Sequence, residues 1–181
     1  MVRKIVTIPN HILRSKSKRI GFVDDSIKKL ADDMVETILN WDHDSEFGAA
    51  LAAIQIAEPL KLTVVRNSFE TGEDKTFTTL INPEVIKISR ETVVDIEGCL
   101  SVPGVYGRVR RALKIKVKAL DANNQPIRLS AEGFAARVIQ HEIDHMDGVI
   151  FLDHVTDAKD LFHIDKAGHL RPLKGDKPKL P

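Results

Sequence analysis

Gln140-His141-Glu142-Ile143-Asp144-His145 is the stretch from which the rest of the chain is read. It contains His-Glu-x-x-His, which on a helix places His141 and His145 one turn apart on one side, able to hold one metal ion. Glu142 follows about 100° round. The flanks predict a helix from Phe134 to Met146. Phe134, Ala135, Val138, His141, Glu142 and His145 fall on the inward side, and Arg137, Gln140, Asp144 and Asp147 on the outward side. Gly148 is placed to end the helix in the left-handed conformation. The inward side thus carries two imidazoles and a carboxylate, and burying such groups without partners costs roughly 2–7 kcal/mol apiece. A bound divalent ion removes most of that cost. The competing reading is a core helix with hydrogen-bonded histidines.

The chain has 181 residues, 43% apolar and 29% charged, which predicts one soluble domain with a sizeable core. A formal net charge of +1 gives no electrostatic argument for a nucleic-acid partner or an acidic substrate. No apolar run reaches the ~20 residues of a membrane span. Met1 to Val6 resembles neither a signal nor a transit peptide, and the single cysteine, Cys99, excludes an intrachain disulfide. The expected location is cytoplasmic, with no membrane association.

Ile5 to Ile8 reads as an extended entry. Asp24-Asp25-Ser26 offers caps for a helix over 27–42, with Ile27, Leu30, Ala31, Met34, Ile38 and Trp41 inward. Asp42 to Phe47 reads as a polar turn and Ser68 to Lys75 as a loop. Gly48 to Gln55 is rich in small residues, which permits close approach to the backbone. Leu62 to Val65 is a buried-strand candidate. Thr76 to Ile81 is another, ended by Asn82-Pro83, and Val85–Ile88 with Thr92–Val94 predicts a hairpin. Glu97 to Gly104 breaks the strand pattern and holds Cys99 in an irregular segment. Leu113, Ile115, Val117 and Ala119 alternate with three lysines, as in a strand solvated on one side. Asp121 to Pro126 turns the chain into Ile127–Leu129, Ser130 leads into the helix, and Val149 to Leu152 reads as a last strand. From Lys166 onward, five Lys or Arg (Lys166, Arg171, Lys174, Lys177, Lys179) face one Asp. We therefore divide the chain into a domain over 1–165 and a weakly ordered basic tail over 166–181.

A catalytic ion usually has three protein ligands and one open position. The third ligand here is not fixed by the helix. No Glu follows Glu142, and position 151, where an extended protease motif has histidine, is Phe151. His154, His163, His169 and Cys99 remain. By spacing alone Cys99 reads equally as a thiolate ligand or as a small buried hydrophobe.

Gly48 to Gln55, Glu97 to Ser101 and Gln140 to His145 together resemble the three signature motifs of peptide deformylases, in the same order and at similar separations. That resemblance implies an α+β fold of mixed, mostly antiparallel β-sheets around the central His-Glu-x-x-His helix. It implies Cys99, His141 and His145 as ligands of one divalent ion, iron(II); such a donor set by its chemistry also accepts zinc, nickel or cobalt. Glu142 becomes the proton carrier, Gln55 and the Leu100 N–H the oxyanion donors, and the backbone of Gly48, Ala49, Ala50 and Leu51 the peptide-binding edge. The implied reaction is hydrolytic removal of the formyl group from the N-terminal formyl-methionine of nascent polypeptides, releasing formate, with the ribosome near the exit as a candidate partner. One motif position departs from the pattern: Ala50 replaces a glycine. Two other readings follow, a deformylase-like protein of reduced or lost activity and a His-Glu-x-x-His metalloprotease.

Overall fold

A computed structural model describes residues 1–41, 48–69, 75–165, 167–173 and 178. The expected turn over 42–47 and most of the loop over 68–75 lie outside them. The elements run α1 (Asp25–Leu39), β1 (Ala50–Ala52), β2 (Leu62–Arg66), β3 (Phe77–Ile88), β4 (Thr92–Glu97), β5 (Tyr106–Ala112), β6 (Lys114–Leu120), β7 (Pro126–Glu132), α2 (Gly133–Met146), β8 (Leu161–Ile164) and β9 (Leu170–Pro172). Strands β1-β2-β3-β6-β7 form one sheet and β4-β5-β8-β9 a second, every ladder antiparallel. The one parallel pairing among the described residues is an isolated bridge between Lys18 and Leu60.

Strand alternation explains how both helices cover the larger sheet. Leu51, Leu62, Val64 and Ile81 point to one face and join Leu30, Met34 and Ile38 of α1 in one core cluster. Ala50, Val65, Leu80, Ile115 and Val117 point to the other and join Ala136, Val138 and Ile139 of α2. Helix α2 also touches β5, so it lies between the two sheets. A third cluster, including Val102, Val109, Phe151, Leu152 and Leu161, fills the space under the smaller sheet.

The Asp24 side chain caps α1 by accepting from the Ile27 N–H at 3.0 Å, but the helix stops at Leu39, short of the expected end. Strand β6 shows the predicted alternation, with Ile115, Val117 and Ala119 buried between exposed lysines. The expected stop at Asn82-Pro83 is not one. Asn82 adopts φ 51°, which Asn tolerates better than most residues, and its amide exchanges hydrogen bonds with the Ile20 backbone at 2.9 and 2.8 Å. Strand β3 therefore continues through a register shift to Ile88. The expected hairpin is also corrected: β3 pairs with β6, whereas β4 pairs with β5 in the other sheet. The chain crosses over at 89–91, where the Ser89 N–H donates to Lys114 and the Leu113 N–H to Glu91.

The expected strand over 149–152 is replaced by a short 3₁₀ turn, Phe151–His154. The Asp153 carboxylate accepts from the Ile150 N–H at 2.9 Å, a local bond that competes with strand pairing. The segment read as a tail contributes β9, which pairs with β8 across the expected boundary at 165/166.

Gly148 ends α2 at φ 76°, and a Cβ there would lie 2.5 Å from the Arg14 carbonyl oxygen. Left-handed strain costs about 1–2 kcal/mol and the clash adds to it. Gly148→Ala is expected to lose at least about 2 kcal/mol, lowering Tm by roughly 4–8 °C for a chain of this size; thermal denaturation checks this.

Candidate metal centre and cleft

Helix α2 turns His141, Glu142 and His145 into the protein, all buried. Cys99 arrives from the other sheet, in the turn after β4 that the Val102 N–H closes on the Cys99 carbonyl at 2.8 Å. Ligand atoms of Cys99, His141 and His145 lie within 4.8 Å of one another, the one such group of three or more among the described residues. His154, His163 and His169 are not part of it. Cys99 Sγ stands 3.1 Å from His145 Nε2.

The donor chemistry fits a divalent ion. Burial, with the positive charges of His141 and Arg111, holds His145 well below its ordinary pKa, so it presents a neutral lone pair. Burial works against charge on His141 too, but its contacts with Cys99 and Glu97 outweigh that and hold its pKa well above the ordinary value. An ion and a proton thus compete for one lone pair of His141. Its Nδ1 is engaged with Glu97 Oε2 at 3.0 Å, leaving Nε2 for a ligand.

Glu142 Oε2 is buried with no hydrogen-bond partner among the described residues. Burial pushes this carboxyl up to about 7; the positive charge of His141 opposes the shift and Glu97 adds to it. A carboxyl near neutrality suits both accepting and returning a proton.

Gln55 sits in a 3₁₀ turn, Ala53–Ile56. Its Oε1 accepts from the Ala52 N–H at 2.9 Å, and its Nε2 donates to Ser101 at 3.1 Å and lies 3.5 Å from Cys99 Sγ. A cleft of about 410 Å³ opens above these groups, lined in part by Gly48, Ala49, Ala50, Gln55, Leu100 and Glu142. Leu51 lies deeper, its side chain fully buried in the α1 cluster. Gly48 has a packing reason, since a Cβ there would sit 2.7 Å from Ile38. Strand β1 is at the end of its sheet, so its outer edge faces away from β2.

Several residues escaped the sequence reading. Glu97 is buried and receives a two-pronged contact from Arg111, at 2.8 and 3.0 Å, as well as Arg137 at 2.7 Å. Arg137 and Gln140 were expected to face outward. Arg137 is instead buried, donating also to the carbonyls of Val109 and Val93. Gln140 bonds the Ala112 backbone on both sides, at 3.2 and 3.0 Å, fixing α2 to β5. Phe134, expected inward, is 49% exposed at the cleft rim, edge-on to Phe69. The one signal for Glu97 was its place two residues before Cys99.

A profile described as polypeptide deformylase matches residues 2–160. The chain belongs to the polypeptide deformylase family. It is 43% identical over 156 residues to peptide deformylase 2 of Clostridium acetobutylicum, covering 86% of this chain and 97% of that protein. To peptide deformylase 1 of Bacillus subtilis it is 42% identical over 155 residues, covering 86% and 91%. Among solved structures, the peptide deformylase of Ehrlichia chaffeensis superposes with a TM-score of 0.79 at 37% identity, covering 87% of this chain and 89% of that one. That of Thermotoga maritima gives 0.77 at 32%, covering 87% and 99%. The α+β architecture expected from the motifs is the deformylase fold. The reading as a relative of reduced or lost activity drew on Ala50 and is not favoured.

The methyl of Ala50 is 5% exposed and belongs to the α2 core cluster. Removing a buried methyl costs about 0.8 kcal/mol, and glycine in a strand adds roughly 0.5–1 kcal/mol. Ala50→Gly is expected to lower stability by about 1–2 kcal/mol without raising turnover, as denaturant titration and steady-state assays would show.

Proposed function

We propose that this chain removes the formyl group from N-formyl-methionyl peptides by hydrolysis, using one divalent ion held by Cys99, His141 and His145. The observation that carries the reading is the convergence of a thiol and two imidazoles within 4.8 Å, beside a buried carboxylate oxygen without a partner among the described residues, at a cleft. An ion bound there supplies Lewis acidity, lowering the pKa of a water from about 15.7 toward about 7. Glu142 accepts the proton of the water that attacks the formyl carbon and delivers it to the departing nitrogen, so that formate and a free amine result. Gln55 Nε2 and the Leu100 N–H donate to the oxyanion, each such donor being typically worth ~2.7–4 kcal/mol. The outer edge of β1, at Ala50–Leu51 and continuing back to Gly48, receives the peptide main chain as an added strand.

A Cys/His₂ set accepts iron(II), zinc, nickel and cobalt; iron(II) is the proposed working ion. The proposed setting is the cytoplasm near the ribosomal exit, where formyl-methionyl chains emerge. No helix among the described residues is long and apolar enough to cross a membrane.

The test is formate release from formyl-Met-Ala-Ser by protein prepared without oxygen. Release is expected to stop on chelation and return with iron(II). Cleavage of internal peptide bonds without formate would overturn the reading and favour the protease.

A further inference from the structure

Behind His141 a chain of charged groups leads to the protein surface. Glu97 Oε2 holds His141 Nδ1 at 3.0 Å, and the Arg111 guanidinium grips both oxygens of Glu97. The same guanidinium donates through its remaining nitrogen to Asp144 Oδ2 at 2.5 Å. Asp144 Oδ2 is met on its other side by His154 Nε2 at 2.7 Å. Arg111 and Glu97 are almost wholly buried, whereas the His154 side chain is 37% exposed. A carboxylate only accepts, so the 2.7 Å contact requires a proton on His154 Nε2. The 3.4 Å approach of Arg111 to that nitrogen is then contact between two donors, not a hydrogen bond.

His154 belongs to a braced turn. Asp153 next to it takes two bonds from Arg14, at 2.5 and 3.0 Å, and one from the Ile150 N–H. Phe151 in the same turn lies against the His141 ring, with centroids 6.2 Å apart and planes 22° from parallel. One turn thus meets His141 from two directions: by a ring face directly, and through Asp144, Arg111 and Glu97 by hydrogen bonds.

We propose that His154 is a positioning residue for the ion: its N–H fixes Asp144, which keeps Arg111 forked onto Glu97 and so holds His141 in its ligating orientation. The inference rests on the reading of Cys99, His141 and His145 as ligands. Without the His154 donor, Asp144 is free to turn toward solvent. Arg111 is then released from one of its two carboxylates, and His141 is held less firmly. Outer partners of metal-bound histidines commonly change ion affinity 10–100-fold; for a residue further out along the chain the expected effect is at the lower end.

The experiment loads the full chain with cobalt(II) and follows its release to a chelator through the visible absorption of the thiolate-bound ion. His154→Ala is expected to release cobalt roughly tenfold faster, with the ion-free protein still folded. His154→Gln places an amide N–H near the position of Nε2 and is expected to restore most of the slow release. In the cobalt-loaded protein, the NMR resonance of the His141 Nδ1 proton is expected to shift or broaden in His154→Ala and to return in His154→Gln. Release from His154→Ala at the wild-type rate overturns the proposal. So does equal acceleration in both variants, which would trace the effect to the packing of the turn. If His154→Ala does not fold, the His154→Gln resonance and release rate are compared with His154→Phe, which fills the space without a donor; equal behaviour of the two overturns it. Failure of the underlying ligand reading looks different: wild-type protein would then take up no cobalt, or Cys99→Ser would bind it with unaltered absorption.

Discussion

Formate release by Glu142→Gln is expected to fall by about 10²–10⁴-fold, the range for removing a general base, while ion binding is retained. Glu142 is nearly isosteric with glutamine, so the helix and its two imidazoles stay in place. Burial works against the charge of this carboxylate, one oxygen of which has no hydrogen-bond partner among the described residues. A neutral amide removes the buried charge, so the variant should unfold at the wild-type temperature or above it. Rate, stoichiometric cobalt binding and Tm together check this. Full activity in the variant would remove Glu142 from the reaction.

The largest expected loss of stability comes from Glu97→Ala. Glu97 neutralises Arg111 and Arg137, both buried, and truncating it leaves two guanidinium groups without their shared carboxylate. Breaking a buried ion pair in this way typically costs 3–5 kcal/mol, or a Tm lower by roughly 6–20 °C. Ion affinity should fall about 10–100-fold as His141 loses its outer partner. The same carboxylate sets a pH dependence. Burial would raise its pKa, but the contacts with His141 and Arg111 override burial and hold it well below the usual range. An unfolded glutamate titrates near ~4.3. The folded state thus binds fewer protons, and the contribution of Glu97 is fully present above that pH and lost as the pH falls further. Acid titration of wild type against Glu97→Gln, followed by circular dichroism, should show a shallower loss in the variant.

The features legible in the sequence were those set by local pattern. Helix α2 was visible from its 3.6-residue period and from Gly148, and begins at Gly133, one residue before the expected start. The β6 alternation was equally plain. Features set by remote partners were not visible. Arg137 looked like a surface residue because Glu97, the group that draws it inward, lies 40 positions away. Gln140 turns toward Ala112, 28 positions away. Asn82-Pro83 looked like a strand end because its compensation, an amide paired with the Ile20 backbone, comes from another part of the chain. At the site, the sequence motifs anticipated which residues meet. Of the buried charges that orient them, they contained Glu97 but gave no sign of its partners Arg111 and Arg137.

Cys99 leaves β4, and the histidines it meets do not appear until β5, β6 and β7 have been laid down. An ion gripped by all three therefore acts as a reversible cross-link between distant segments, formed only in the folded chain. Resistance to unfolding then becomes a function of free metal concentration. Starvation for the ion would shorten the lifetime of the protein as well as silence it, so the amount of enzyme in a cell would track the supply of its metal.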